Sequence, residues 1–221
     1  MMLPLRAAKL VAPPTLGGAP SISITTCNIN SFIKNSDAPA KVLGSTITQC
    51  VFFQETKIDN QDHFRSIRRH LTNHVGYKQY QLFVNDHRTS VHTTLQHRSK
   101  GVATFFHSSM PGFNDLKPLW SLRVPDRYLV VQTRWNNQSV YFHDEYAPVE
   151  DNLRAPFFES QPREFEVDSI HIVGGDFVLP FDIALDATTL HPGHNAGKVE
   201  CFEWLSALRA RVGATDWTTS S

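Results

Sequence analysis

Apolar and β-branched residues fall in short blocks along this 221-residue chain, and the period of each block predicts an element. Ser21–Asn28 is β-branched and predicts a strand. Gln49–Gln54, with Val51-Phe52-Phe53, predicts a buried strand running into Glu55. Tyr77–Val84 alternates weakly, as a partly exposed strand does, and Gly101–Phe106, Tyr128–Arg134 and Ser139–Glu145 predict further strands. Ile170–Val173 predicts a strand that ends at Gly174-Gly175, with Asp176 just beyond it. Helical spacing of Val42, Leu43 and Ile47 predicts a helix over Ala38–Thr48, and Phe64, Ile67 and Leu71 predict another over Gln61–Leu71. Asp151–Phe165 begins with helical spacing, but Pro156 and Pro162 limit it to a short or kinked helix. Lys198–Val212 has the clearest helical pattern, with Val199, Phe202, Leu205, Leu208 and Val212 on one face. Its acids Glu200 and Glu203 lie near the start and Arg209 and Arg211 near the end, as the helix dipole favours, and Gly213 suits a terminator. The polar stretch Asn85–Lys100 reads as a loop or open hairpin, and Leu179–Gly197 as a loop. Strands and helices alternating irregularly predict an α/β fold with some antiparallel neighbours.

Polar residues recur at the ends of the predicted strands. Asn28 and Asn30 follow Ile22–Thr26, Glu55 follows Val51–Gln54, and Asp176 follows Ile170–Val173. A fourth strand ends at Asp144-Glu-Tyr-Ala-Pro148. Ligands of α/β sheets gather at such edges. Carboxylates brought together there repel unless a cation lies between them, and oxygen donors of this kind select Mg2+ or Mn2+ over zinc. The plainer reading of Asp176 is a turn aspartate capping the next segment.

Composition adds limits. A chain with 41% hydrophobic and 19% charged residues can bury a sizeable core. Net charge is zero but unevenly spread. Arg65–Lys100 holds Lys or Arg at 65, 68, 69, 78, 88, 98 and 100 against the single acid Asp86, whereas Asp144–Asp186 is acid-rich with only Arg154 and Arg163 opposing. One basic and one acidic segment suit a phosphate polymer lying across a metal-binding pole. Arg65, Arg68 and Arg69 are candidate backbone contacts, or a solvated helix face. Cys27, Cys50 and Cys201 are scattered, which argues against structural zinc and disulfides and for a reducing compartment, nuclear or cytoplasmic rather than secreted. No apolar run is long enough to span a bilayer, so no membrane association is expected. Residues 1–20 read as a loose tail preceding a domain over 21–221. His191, His194 and Cys201 lack a fourth partner for zinc, His143 reads as a packed strand residue, and Trp120, Trp135 and Trp204 read as core.

The strand-end motifs carry a resemblance. Thr26-Cys-Asn-Ile-Asn-Ser31, Phe53-Gln-Glu-Thr-Lys57, Gly101-Val-Ala, Tyr146-Ala-Pro148 and Gly174-Gly-Asp-Phe177 stand in order and resemble the endonuclease/exonuclease/phosphatase superfamily. The wording of Tyr146–Glu150 and Asp176–Pro180, with Leu185-Asp186 following, resembles the endonuclease domain of non-LTR (LINE-type) retrotransposons. The resemblance implies a DNase I-like, four-layer αββα sandwich of two mixed sheets, lacking its last strand or strands. It implies Glu55 as the ligand of a catalytic Mg2+ (or Mn2+), with Asn30 beside the metal. Asn28 would orient a carboxylate or phosphate, Tyr146 would contact the scissile phosphate, and Asp176 would position or deprotonate the attacking water. The partner implied is nucleic acid, DNA rather than RNA, bound by a monomer.

Three departures bear on activity. Val178 stands where the family usually has a phosphate-donating asparagine, and Asp144 where asparagine is common. The family's closing Ser-Asp-His motif has no counterpart after the last helix, for Asp62-His63 and Asp86-His87 come too early. The expected function is therefore Mg2+-dependent phosphodiester hydrolysis of nucleic acid with weak or lost activity. A non-catalytic remnant that at most binds nucleic acid or metal is the alternative. A phosphatase of the same superfamily, acting on a phosphoinositide or sphingolipid head group, is the third reading.

Overall fold

A computed structural model describes residues 6–10, 22–32, 37–45, 48–58, 60–85, 101–179 and 195–209. Nine strands form two sheets among these residues. The first has the order β1-β2-β3-β5-β4: β1 (Arg6–Leu10), β2 (Ile22–Asn28), β3 (Cys50–Gln54), β4 (Tyr80–Asn85) and β5 (Val102–His107). The second has the order β6-β7-β8-β9: β6 (Lys117–Pro118), β7 (Tyr128–Trp135), β8 (Gln138–Tyr146) and β9 (Ile170–Asp176). The pairs β2–β3 and β8–β9 are parallel and all others antiparallel, so both sheets are mixed.

The alternation of each strand sorts its residues into layers. Ile22 and Ile24, Cys50 and Phe52, Val140 and Phe142, and Ile172 turn inward and form the core between the sheets. Val51, Phe53, Ala103 and Phe105 turn outward and pack on α1 (Asp37–Ser45) and α2 (Gln61–His74) through Ala40, Leu43, Ile67 and Leu71. Tyr128, Val130 and Tyr141 turn the other way, onto α3 (Asp151–Glu159) and α4 (Lys198–Arg209) through Phe157, Phe158, Cys201, Trp204 and Leu208. The result is the αββα sandwich that the sequence predicted.

Several expectations need correction. Residues 6–10, read as part of a loose tail, pair with the outer edge of β2 as an antiparallel strand. They contain no proline, and β2 offered an open ladder of donors and acceptors. Strand β9 runs through Gly174-Gly175 and ends on Asp176. A Cβ on Gly174 would lie 2.4 Å from the Phe52 ring, and one on Gly175 2.0 Å from the Glu145 carbonyl oxygen. The glycines therefore mark close approach on both sides of a strand, not its end. On α4 the buried face is Cys201, Trp204 and Leu208, whereas Val199 and Phe202 are exposed. Trp204 is the largest side chain on the helix, and seating it rotates the predicted face. Trp135 and Trp204 are core, but Trp120 is 43% exposed and lies under Arg123. The polar stretch over 86–100 with the pair Asp86-His87, residues 180–194 with His191 and His194, and residues 210–221 with Gly213 lie outside the described residues.

Candidate active site

Period-two alternation carries each inward face to the same end of the sandwich. Residues 22, 24, 26 and 28 share one face of β2, residues 140 to 146 in steps of two share one face of β8, and residues 170 to 176 do so on β9. Asn28, Tyr146 and Asp176 are thus the last inward residues of three strands. Tyr146 and Asp176 are register partners in the parallel pair β8–β9. Glu55 immediately follows β3, where continued alternation would turn it outward. Its backbone instead takes φ 54°, a left-handed conformation that redirects the side chain. Such a conformation costs about 1–3 kcal/mol for a non-glycine residue and persists where surrounding contacts hold it.

Those contacts form one network. The Asn28 amide Nδ2 donates to Glu55 Oε1 at 2.8 Å and to Asp176 Oδ2 at 3.2 Å. The Asn28 side-chain carbonyl accepts from the Asn30 backbone N–H at 3.2 Å. Lys57 Nζ pairs with Glu55 Oε2 at 3.1 Å and also donates to Asn30 Oδ1. The Glu55 charge acts on the Tyr146 hydroxyl. The Val178 backbone N–H donates to Asp176 Oδ1 at 3.2 Å. One amide therefore holds two carboxylates from different sheets, 27 and 148 residues away along the chain.

Tyr146 stays a neutral donor at physiological pH. Burial pushes its phenol up to about 12, the Glu55 and Asp176 charges push the same way, and Arg127 opposes them. The Arg127 guanidinium lies 5.1 Å from the ring centroid and donates to the Tyr146 and Ala147 carbonyls. It clamps the start of β7 to the end of β8. Behind the cleft, Asp144 is buried between the sheets, accepting from Gln54 Nε2 at 2.9 Å and Thr104 Oγ1 at 3.0 Å. Burial raises its pKa well above the ordinary carboxyl range, against those hydrogen bonds. Asp144 thus braces the two sheets one register step inside Tyr146 and is no member of the cleft network.

The structure brings together Asn28, Asn30, Glu55, Tyr146 and Asp176. It does not join Arg65, Arg68 and Arg69 to them: all three lie on the exposed face of α2, with Arg65 on Asp62 at 2.8 Å and Arg68 over Phe64. Two contributors escaped the sequence reading. Lys57 stood inside the Phe53–Lys57 motif without a role, and its place two residues after Glu55 was the available signal. Arg127 stands just before a strand, and nothing in its local pattern marks it.

No protein-family model matches the chain, and no curated protein matches it in sequence. Among solved structures, the AP endonuclease LMAP from Leishmania major is similar with a TM-score of 0.55 and 14% identity, over 85% of this chain and 66% of its own. An endonuclease/exonuclease/phosphatase family protein from Leptotrichia buccalis C-1013-b gives 0.49 at 12% identity, over 86% of this chain and 72% of its own. The endonuclease domain of TRAS1, a telomere-specific non-LTR retrotransposon, gives 0.49 at 12% identity, over 82% of this chain and 69% of its own. The chain thus spans just under two thirds of the length of the Leishmania structure. Two mixed sheets face to face between helical layers define the class of αββα sandwiches. Within that class the fold is DNase I-like, shared with the Leishmania AP endonuclease structure.

Proposed function

We propose that this chain is a nuclease-type phosphodiesterase that hydrolyses nucleic acid, DNA in preference to RNA, with Mg2+ or Mn2+. The observation that carries the proposal is the Asn28 amide holding Glu55 and Asp176 together at the ends of two sheets. The donor chemistry suits a hard cation. Glu55 Oε2 and Asn30 Oδ1 jointly hold the Lys57 ammonium, so this corner already favours positive charge among oxygen donors. Glu55 and Asn30 are the residues that would hold the metal, displacing Lys57. Bound there, Mg2+ supplies positive charge to a phosphoryl oxygen. Tyr146, neutral and hydroxyl-bearing, donates to the phosphate. Asp176, fixed by Asn28 and by the Val178 N–H, orients the attacking water and accepts its proton. The Lys57 ammonium beside Glu55 and Asn30 offers charge to a second phosphate oxygen. The retroelement-type reading rests on the wording around Tyr146 and Asp176 alone.

Supercoiled plasmid with Mg2+ or Mn2+ tests the proposal. Slow nicking is expected, falling about 100- to 1,000-fold in Asp176→Asn and in Glu55→Gln. Nicking that both variants retain would overturn the assignment. Val178 favours a second reading, a chain that binds nucleic acid without cleaving it, because its side chain offers no donor where the family places an asparagine. Retained DNA binding with no cleavage, in wild type and in Val178→Asn alike, would select that reading. Comparing single-stranded DNA with RNA of the same sequence tests the preference.

A further inference from the structure

A second cluster lies on the flank of the sandwich, where α1 meets α2. His70 and His74 are one helical turn apart on α2 and share a face. Both turn a ring nitrogen to one oxygen of Asp37, the first residue of α1: His74 Nε2 lies 2.7 Å and His70 Nδ1 3.2 Å from Asp37 Oδ1. The three ligand atoms all lie within 4.8 Å of one another. We propose that Asp37, His70 and His74 form a binding site for a divalent transition-metal ion of the zinc type, with the fourth position left to water.

Two imidazoles and a carboxylate are a borderline-soft donor set that favours Zn2+ over Mg2+. Bonds of about 2.0–2.1 Å in a tetrahedral site put ligand atoms roughly 3.3 Å apart. The present separations need only small side-chain rotations to meet that. Asp37 is arranged to give one oxygen: Lys41 Nζ holds Oδ2 at 2.7 Å and leaves Oδ1 to the histidines. The backbone placing His74 is fixed by close packing, since a Cβ on Gly44 of α1 would meet the His74 carbonyl oxygen at 2.4 Å. The ligands are about a quarter to two fifths exposed, so a hydrated ion can reach them. The bound ion would staple the outer helical layer, acting at the start of α1, seven residues after Asn30.

The site shares no residue with the proposed Mg2+ cleft, so each can fail alone. Calorimetric titration of the whole chain with Zn2+ should give one site per chain. His74→Ala and His70→Ala should weaken it by more than about 100-fold, and Glu55→Gln should leave it unchanged. Zn2+ at about a hundredfold excess over its dissociation constant should raise the wild-type Tm by about 5–10 °C and leave that of His74→Ala unmoved. Co2+ bound to wild type should show the visible absorption of a tetrahedral nitrogen/oxygen site, an assay that needs no variant to fold. Zn2+ binding of equal strength in wild type and both histidine variants, no binding to wild type, or an octahedral Co2+ spectrum would each overturn the proposal. In the first case the remaining histidines of the chain's 11 would be the ligands; in the second the cluster would be a hydrogen-bonded helix anchor.

Discussion

The two faces of β8 carry four consecutive polar or ionisable residues, His143, Asp144, Glu145 and Tyr146, with different outcomes. Asp144 and Tyr146 face the other sheet. There Gln54 and Thr104 donate to Asp144, Glu55 and Arg127 act on Tyr146, and the strand end becomes part of the cleft. His143 and Glu145 face α4. His143 is fully buried but satisfied: Tyr128 hydroxyl lies 2.7 Å from its Nδ1, His171 Nδ1 lies 2.9 Å from its Nε2, and His171 Nε2 reaches Ser169 Oγ at 2.9 Å. Ser169 donates its one hydroxyl proton to the Glu166 carbonyl, so it must accept from His171. One arrangement then satisfies each atom in turn: His171 Nε2–H donates to Ser169, His143 Nε2–H to His171 Nδ1, and the Tyr128 hydroxyl to His143 Nδ1. Burial, reinforced by His171, keeps His143 well below the ordinary histidine range and so uncharged. Glu145, on the same face, is buried, and neither carboxyl oxygen has a hydrogen-bond partner among the described residues. Burial raises its pKa well above the usual range, and Asp144 adds to the shift. The same strand therefore lines the cleft on one face and buries an unpartnered acid on the other.

The largest effect expected is at the cleft. Tyr146→Phe keeps the ring over Arg127 but loses the donor, so plasmid nicking should fall about 100-fold or more while the fold persists. Unchanged nicking would separate Tyr146 from the chemistry. On the opposite face, Glu145→Met removes an unpartnered buried carboxyl and should stabilise the fold by about 1–3 kcal/mol in urea melts, leaving nicking unaltered. A destabilised Glu145→Met protein would mean that Glu145 has a partner role on the α4 side.

Asp144→Asn should keep both bonds, the amide oxygen accepting from Gln54 and the amide N–H donating to Thr104, and should add about 1 kcal/mol at neutral pH. The pH dependence sharpens this. Folded pKa values raised above the unfolded ones mean that the native state binds more protons, so stability falls as pH rises above about 4, by up to about 1.4 kcal/mol per pH unit per group. Tm measured from pH 5 to 8 should therefore decline in wild type and decline less in Asp144→Asn and Glu145→Met. Asp37 acts in the opposite sense at the acid end. Its pKa is lowered by the hydrogen bonds from Lys41 and His74, so the stability it contributes is lost as pH falls below the ordinary aspartate range. The smallest effect is at Val178, a β-branched residue at φ 52°, where Val178→Asn should relieve about 1 kcal/mol of backbone strain.

The layers and strand ends were legible because alternation is a local property. Ile22 to Asn28 and Ile170 to Asp176 each show in sequence which residues turn inward, but the glycines before Asp176, read as the end of the strand, mark close approach inside β9 instead. The turn of Glu55 into the cleft was legible only through its motif, since period two alone sends it outward. The edge pairing of Arg6–Leu10 depends on the open edge of β2, a long-range fact. The rotation of α4 depends on the volume of Trp204, which apolar spacing does not weigh. The Asp37–His70–His74 cluster was half visible, as two histidines at helical spacing, but its carboxylate lies 33 residues upstream of His70 on another helix.

The central claim is that the inward ends of β2, β3, β8 and β9 build one divalent-metal cleft around Glu55. Mn2+ titration by calorimetry of wild type and Glu55→Gln, both in the His74→Ala background to silence the flank, tests it most directly. Binding to the Glu55 protein and its loss in Glu55→Gln is the expected result. Equal Mn2+ binding by the two proteins would remove Glu55 from any metal site and contradict the claim.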